Sequence, residues 1–163
     1  MPGHATPALP DALSRLGRVH HVAVVVRDLD AALGFYRDTL GMPLELVLPV
    51  PSDQVRIGFL TVGESRIEVV EPTSGDTGVA RFLAARGEGF HHVCFEVADI
   101  AATLDALAAA GVELIDRVPR AGADGPVAFI HPRSGHGVLV ELVEAEGGPA
   151  WATVGSLRGQ LGE

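Results

Sequence analysis

The chain has 163 residues, 47% of them hydrophobic, enough for one globular domain or two small fused modules. A net charge of −9 argues against a nucleic-acid-binding surface but leaves room for a local basic pocket. All 12 Lys-plus-Arg positions are arginine, which excludes a lysine Schiff base or lysine nucleophile.

Residues 1–17 are rich in Ala and Pro and lack the basic-then-apolar pattern of a secretory signal, so they are expected to form an extension. Val19–Val26 is β-branched and reads as a strand. Asp28 then caps a helix over 29–40, which Gly41 closes. Strands are expected over 44–50, 55–62 and 66–71, punctuated by Pro49, Pro51, Gly63 and Pro72. A linker over 73–88 carries a short helix at 79–86. The order then repeats: a strand over 90–97, a helix capped by Asp99 and ended by Gly111, and strands over 113–118, 127–130 and 137–144. The class is α+β, built as two tandem βαβββ modules over 18–72 and 89–145, with a second extension over 146–163. No run of about 18 apolar residues predicts a membrane span. The lone Cys94 excludes an intramolecular disulfide, sits in an apolar strand pattern, and points to core packing in a reducing, cytoplasmic setting.

The two halves echo one another. His20-His21 matches His91-His92, and Asp28 matches Asp99, at an offset of 71. Arg66-Ile-Glu68-Val-Val-Glu matches Leu139-Val-Glu141-Leu-Val-Glu at an offset of 73. Each half thus offers one His and one Glu at corresponding places. Side chains alternate along a strand, so Glu68 and Glu141 fall at positions shared with apolar neighbours. An unpaired buried carboxylate costs several kcal/mol, so such groups find a partner or a metal. Taken singly, each His reads as a hydrogen-bonded strand residue and each Glu as sheet-edge surface. Taken as matched pairs, His21, Glu68, His92 and Glu141 make a net-neutral site for one divalent cation. Co²⁺ and Mn²⁺ lead the candidates, with Ni²⁺, Zn²⁺ and Fe²⁺ compatible.

Other polar residues invite plainer readings. His20 and His91 should point away from the ligands and serve packing or support. His131-Pro132-Arg133-Ser134-Gly135 is a polar loop in which Arg133, with Ser134 beside it, is a candidate contact for an anionic substrate. His136 reads as exposed. Glu71, Glu96 and Glu144 read as solvated.

With these features in place, the chain resembles the vicinal oxygen chelate superfamily, and within it the methylmalonyl-CoA epimerases. The likeness covers about residues 18–145 and rests on His20-His-Val-Ala-Val-Val-Val-Arg-Asp-Leu29, Phe35-Tyr-Arg-Asp-Thr-Leu-Gly41, Arg66-Ile-Glu-Val-Val-Glu-Pro72 and Ala80-Arg-Phe-Leu83. More specific are Gly87-Glu-Gly-Phe-His-His-Val93, His131-Pro-Arg-Ser-Gly135 and Gly137-Val-Leu-Val-Glu-Leu142. The resemblance implies curved mixed sheets around a metal held by His21, Glu68, His92 and Glu141, a homodimer, and an acyl-CoA substrate. It also implies interconversion of (2R)- and (2S)-methylmalonyl-CoA by 1,1-proton transfer through a metal-stabilised enolate. Some members carry a glutamate proposed as a base in the third strand, where this chain has Ile57. Glu68 and Glu141 are therefore the candidate acid–base pair, one for each face of the substrate. Other outcomes for the same fold are a lactoylglutathione lyase-like isomerase, an extradiol dioxygenase using His21, His92 and Glu141, or a drug-sequestering module.

Overall fold

A computed structural model describes residues 16–145; of the extensions expected over 1–17 and 146–163, residues 1–15 and 146–163 lie outside the described residues. The chain divides into two compact units, residues 20–93 and residues 94–145 with 16–19.

In the first unit, β1 (Val19–Val25) runs parallel to β4 (Ser65–Pro72), placing Ala23 beside Glu68 and His21 beside Arg66. β2 (Leu44–Val50) and β3 (Val55–Val62) extend the sheet antiparallel, in the order β2-β3-β4-β1, followed by the first half of β5 (Gly89–Glu96). Strand alternation splits the apolar residues between two faces. One face carries Ala23, Val25, Ile57, Phe59 and Val70, covered by Val79, Phe82 and Leu83 of α2 (Gly78–Arg86). The other carries Leu60 and Val69 against Leu29 and Leu33 of α1 (Leu29–Leu33). Each buried Val, Leu or Phe contributes about 1.5–3 kcal/mol of transfer free energy. A five-residue helix cannot stand alone, so this burial is what holds α1. Gly58 permits its close approach, since a Cβ there would meet Leu29 Cδ1 at 3.3 Å.

The helix expected over 29–40 begins as α1, with Asp28 accepting from the Ala31 amide at 3.0 Å. It then widens into a π-helical turn, Gly34–Thr39, in which the Leu40 amide donates to the Phe35 carbonyl at 2.9 Å. Gly41 closes it at φ +73°.

In the second unit, the rest of β5 is followed by β8 (Val140–Val143), β7 (Pro126–Ile130) and a two-residue β6 (Arg120–Ala121). α3 (Ile100–Ala109), capped by Asp99, packs Ile100 and Leu104 on Ala128 and Leu142. The opposite face holds Cys94, Val127 and Val143, so Cys94 is a core residue.

Two strand expectations change here. Residues 113–118 make one bridge, Leu114 to Ile130, in place of a strand. Side chains take over the backbone's partners: Asp116 accepts the Phe129 amide and Ser134 accepts the Glu113 amide, both at 2.8 Å. The last strand starts at Val140 rather than 137, because residues 132–137 form consecutive turns, with His136 at φ 54° and Gly137 at φ 94°.

The three glutamates read as solvated are all engaged. Glu96 is 1% exposed and accepts from Arg18 Nε at 2.8 Å. Glu71 accepts the Leu29 amide at 2.7 Å, and Glu144 accepts the Ile100 amide at 2.8 Å. The latter two stand at the repeat offset of 73, each tying a strand end to the first turn of a helix.

Candidate metal centre

The centre of the first unit is built from three strands. β1 supplies His21, β4 supplies Glu68 and β5 supplies His92. Both His side chains are buried, and Glu68 is 13% exposed. His21 Nε2 lies 3.2 Å from His92 Nε2 and 3.1 Å from Glu68 Oε2. Parallel pairing of β1 with β4 creates this meeting, since it sets Glu68 beside Ala23 on the face that His21 shares.

The walls are aromatic and cationic. Phe59 lies opposite Glu68 in the β3–β4 ladder, and its ring meets His21 edge-on with centroids 5.6 Å apart. The Arg66 guanidinium sits 5.0 Å from the Phe59 centroid and donates to Glu45. Ile57 is 3% exposed in the apolar face, so this position contributes no carboxylate.

His20 and His91 depart from the expected geometry. Strand alternation separates their Cβ atoms from those of His21 and His92, yet the rings meet. His20 Nδ1 is 2.8 Å from His21 Nδ1, and His91 Nδ1 is 2.7 Å from His92 Nδ1. The pairing leaves the Nε2 atoms of His21 and His92 facing each other, with that of His21 also beside Glu68. No periodicity rule finds such a contact between neighbours in one strand; the doubled His-His spelling was its only trace in the sequence.

The donor set fits a dication. Two neutral imidazole nitrogens and a carboxylate oxygen are ligands for borderline metals. With bonds of about 2.1 Å, adjacent donors of one ion stand roughly 3.0–3.4 Å apart. The spacings of 3.1 and 3.2 Å fall in that interval. With both Nδ1 atoms protonated, the two facing nitrogens and the carboxylate present lone pairs alone, which only a cation or a shared proton can reconcile.

Glu141 belongs to the second unit, on β8, 7% exposed. Its register repeats that of Glu68: Glu141 lies opposite Phe129 as Glu68 lies opposite Phe59, and Val143 opposite Val127 as Val70 opposite Ile57. Arg120 sits over Phe129 at 5.2 Å, echoing Arg66 over Phe59. In the late loop, Arg133 is exposed and pairs with Glu113 at 3.2 Å, while the Ser134 hydroxyl is used by the Glu113 amide.

A repeated βαβββ pattern with a His-Glu-His donor set defines a class. The chain belongs to the glyoxalase/bleomycin resistance protein/dioxygenase superfamily, whose model matches residues 20–130. Within that superfamily it is 40% identical over 133 residues to the mitochondrial methylmalonyl-CoA epimerase of Mus musculus, covering 80% of this chain and 75% of the relative. It is also 40% identical over 130 residues to the ethylmalonyl-CoA/methylmalonyl-CoA epimerase of Cereibacter sphaeroides, covering 78% and 97%. A Streptomyces coelicolor methylmalonyl-CoA epimerase variant, solved in complex with 2-nitronate-propionyl-CoA, superposes with a TM-score of 0.79 at 34% identity, covering 83% of this chain and 99% of that one.

Proposed function

We propose that this chain is a methylmalonyl-CoA epimerase that interconverts the (2R) and (2S) thioesters by moving the C2 proton. The observation that carries the reading is that His21 Nε2 stands 3.2 Å from His92 Nε2 and 3.1 Å from Glu68 Oε2, in a chain whose relatives include epimerases of this substrate.

Glu141 is assigned as the fourth ligand; its support is the shared register with Glu68 and its burial at the repeat position. A bound Co²⁺ or Mn²⁺ supplies Lewis-acid stabilisation of the negative charge that develops when C2 loses its proton. The chain's own residues do the rest. Glu68 and Glu141 act as the acid–base pair, one removing the proton from C2 and the other returning it to the opposite face. Phe59 and Ile57 keep water from the face that carries Glu68. Arg133 serves the anionic CoA moiety by exchanging its surface pairing with Glu113, with Ser134 holding the loop. The enzyme acts on a soluble acyl-CoA, and no helix among the described residues is long and apolar enough to cross a membrane. The net charge speaks against nucleic acid, and a reducing, cytoplasmic setting suits the buried Cys94, which forms no disulfide among the described residues.

The test is proton exchange. Metal-loaded protein is incubated with each epimer in D₂O, and deuterium at C2 and stereochemistry are followed together. Each epimer should give the same mixture, with deuterium at C2. Absence of both exchange and inversion in protein that carries stoichiometric metal would overturn the assignment.

A further inference from the structure

We propose that His20 and His91 are positioning residues, each accepting at Nδ1 the Nδ1–H of the adjacent ligand histidine. In doing so they fix its ring plane and hold its Nε2 lone pair toward the metal. This rests on the metal reading above. It goes beyond the ligand set, because His20 and His91 donate nothing to that set.

The geometry occurs twice. His20 and His21 have ring centroids 5.1 Å apart at an interplanar angle of 72°; His91 and His92 have 5.1 Å and 76°. The Nδ1-to-Nδ1 distances of 2.8 and 2.7 Å are hydrogen-bond distances, at which one nitrogen donates and the other accepts. A ligand that binds through Nε2 carries its proton on Nδ1, so the neighbour accepts at Nδ1 and keeps its own proton on Nε2. Every tautomer in the pair then follows from ligation. Two matched contacts at repeat positions, each joining side chains that strand alternation would part, are hard to attribute to packing alone.

The supporting residues are themselves held. Phe82 of α2 meets His91 edge-on, with centroids 4.8 Å apart, and packs into the apolar face beside Phe59. His20 is 3% exposed. A histidine that accepts from a ligand's N–H raises the basicity of the coordinating nitrogen and removes the freedom of its ring to rotate. Losing such a partner typically weakens metal affinity about 10–100-fold.

The experiment measures Co²⁺ affinity by chelator competition for the wild type, His20→Ala, His91→Ala, His20→Asn and His91→Asn. Asparagine Oδ1 can occupy the place of the imidazole Nδ1 as an acceptor. The Ala variants should bind about 10–100-fold more weakly, and the Asn variants should recover most of that loss. A second measurement needs no variant: ¹⁵N spectra of the Zn²⁺-loaded wild type should show His20 and His91 as Nε2–H tautomers. This decides the matter if an Ala variant fails to fold. Wild-type affinity in a folded Ala variant, Asn no better than Ala, or Nδ1–H tautomers at His20 and His91 would each overturn the positioning role while leaving the metal site standing. A wild type that binds no metal would instead remove the ligand assignment, and this role with it.

Discussion

Glu71 Oε2 accepts the backbone amide of Leu29 at 2.7 Å, joining the end of β4 to the first residue of α1. Three residues upstream on β4 stands Glu68. One strand therefore presents a candidate ligand from its middle and a helix cap from its end. Glu144 and Ile100 repeat the arrangement at 2.8 Å. A carboxylate at a helix N-terminus meets unsatisfied N–H groups and the positive end of the helix dipole. Hydrogen bonds to charged groups contribute about 1.5–3 kcal/mol. Glu71→Ala and Glu144→Ala should each lower unfolding stability by about that amount in urea titrations. The Gln variants should lose less, because an amide oxygen still accepts. The decrement should be equal in metal-loaded and chelator-treated protein; a loss confined to the loaded form would mean that these glutamates act through the metal.

Metal binding is the second prediction. One equivalent of Co²⁺ or Mn²⁺ per chain should remain after chelation, reloading and desalting. His21→Ala and His92→Ala each remove one of two nitrogens that stand 3.2 Å apart, so both should fall well below stoichiometric loading under the same wash. Their thermal midpoints without metal should change far less than the wild-type shift on adding metal, since a ligand that binds only the folded state stabilises it by mass action. Full metal content in either variant would show that the ligand is elsewhere.

Dimerisation is the third. β2 ends the sheet of the first unit, and a strand at a sheet edge offers unpaired N–H and C=O groups that proteins seldom leave uncovered. Light scattering at micromolar concentration should give about twice the chain mass of 17.0 kDa. A fully active monomer at that concentration would remove this assembly.

Much of the fold was readable because its signals are local. Asp28 and Asp99 cap helices as their spelling predicts, and the strands from Leu44 to Pro72 fall where β-branched runs meet turn residues. The strand expected over 113–118 was not to be had from periodicity: Asp116 and Ser134 take over backbone partners from elsewhere in the chain. Glu71, Glu96 and Glu144 were misread for a related reason. A carboxylate at a strand end looks solvated until the residue it reaches is known, and Leu29, Arg18 and Ile100 lie 42, 78 and 44 positions away. The meeting of His21, Glu68 and His92 had its trace in the sequence as His and Glu doubled at offsets of 71 and 73. What the offsets could not convey was the Nδ1 contacts of His20 and His91, which depend on ring rotation rather than on strand phase.

The final prediction separates ligation from proton transfer at the two glutamates. Glu→Gln keeps the side chain's size and one oxygen donor but abolishes the base. Glu141→Gln should therefore keep measurable metal and lose epimerisation by about 10²–10⁴-fold, the usual contribution of a general acid–base group. Glu68→Gln should lose as much if Glu68 serves the opposite face. If it is a ligand alone, that variant should stay largely active, since an amide oxygen can still take its place beside His21 Nε2 at 3.1 Å. Deuterium exchange distinguishes the two roles without relying on overall rate. A variant that has lost one base should exchange the C2 proton of one epimer and fail to invert it, and the two single variants should show opposite epimer preferences. The double variant, metal-loaded, should be inactive for both epimers. Near-normal epimerisation by that protein would defeat the two-glutamate mechanism and turn attention to the loop around His131 and His136.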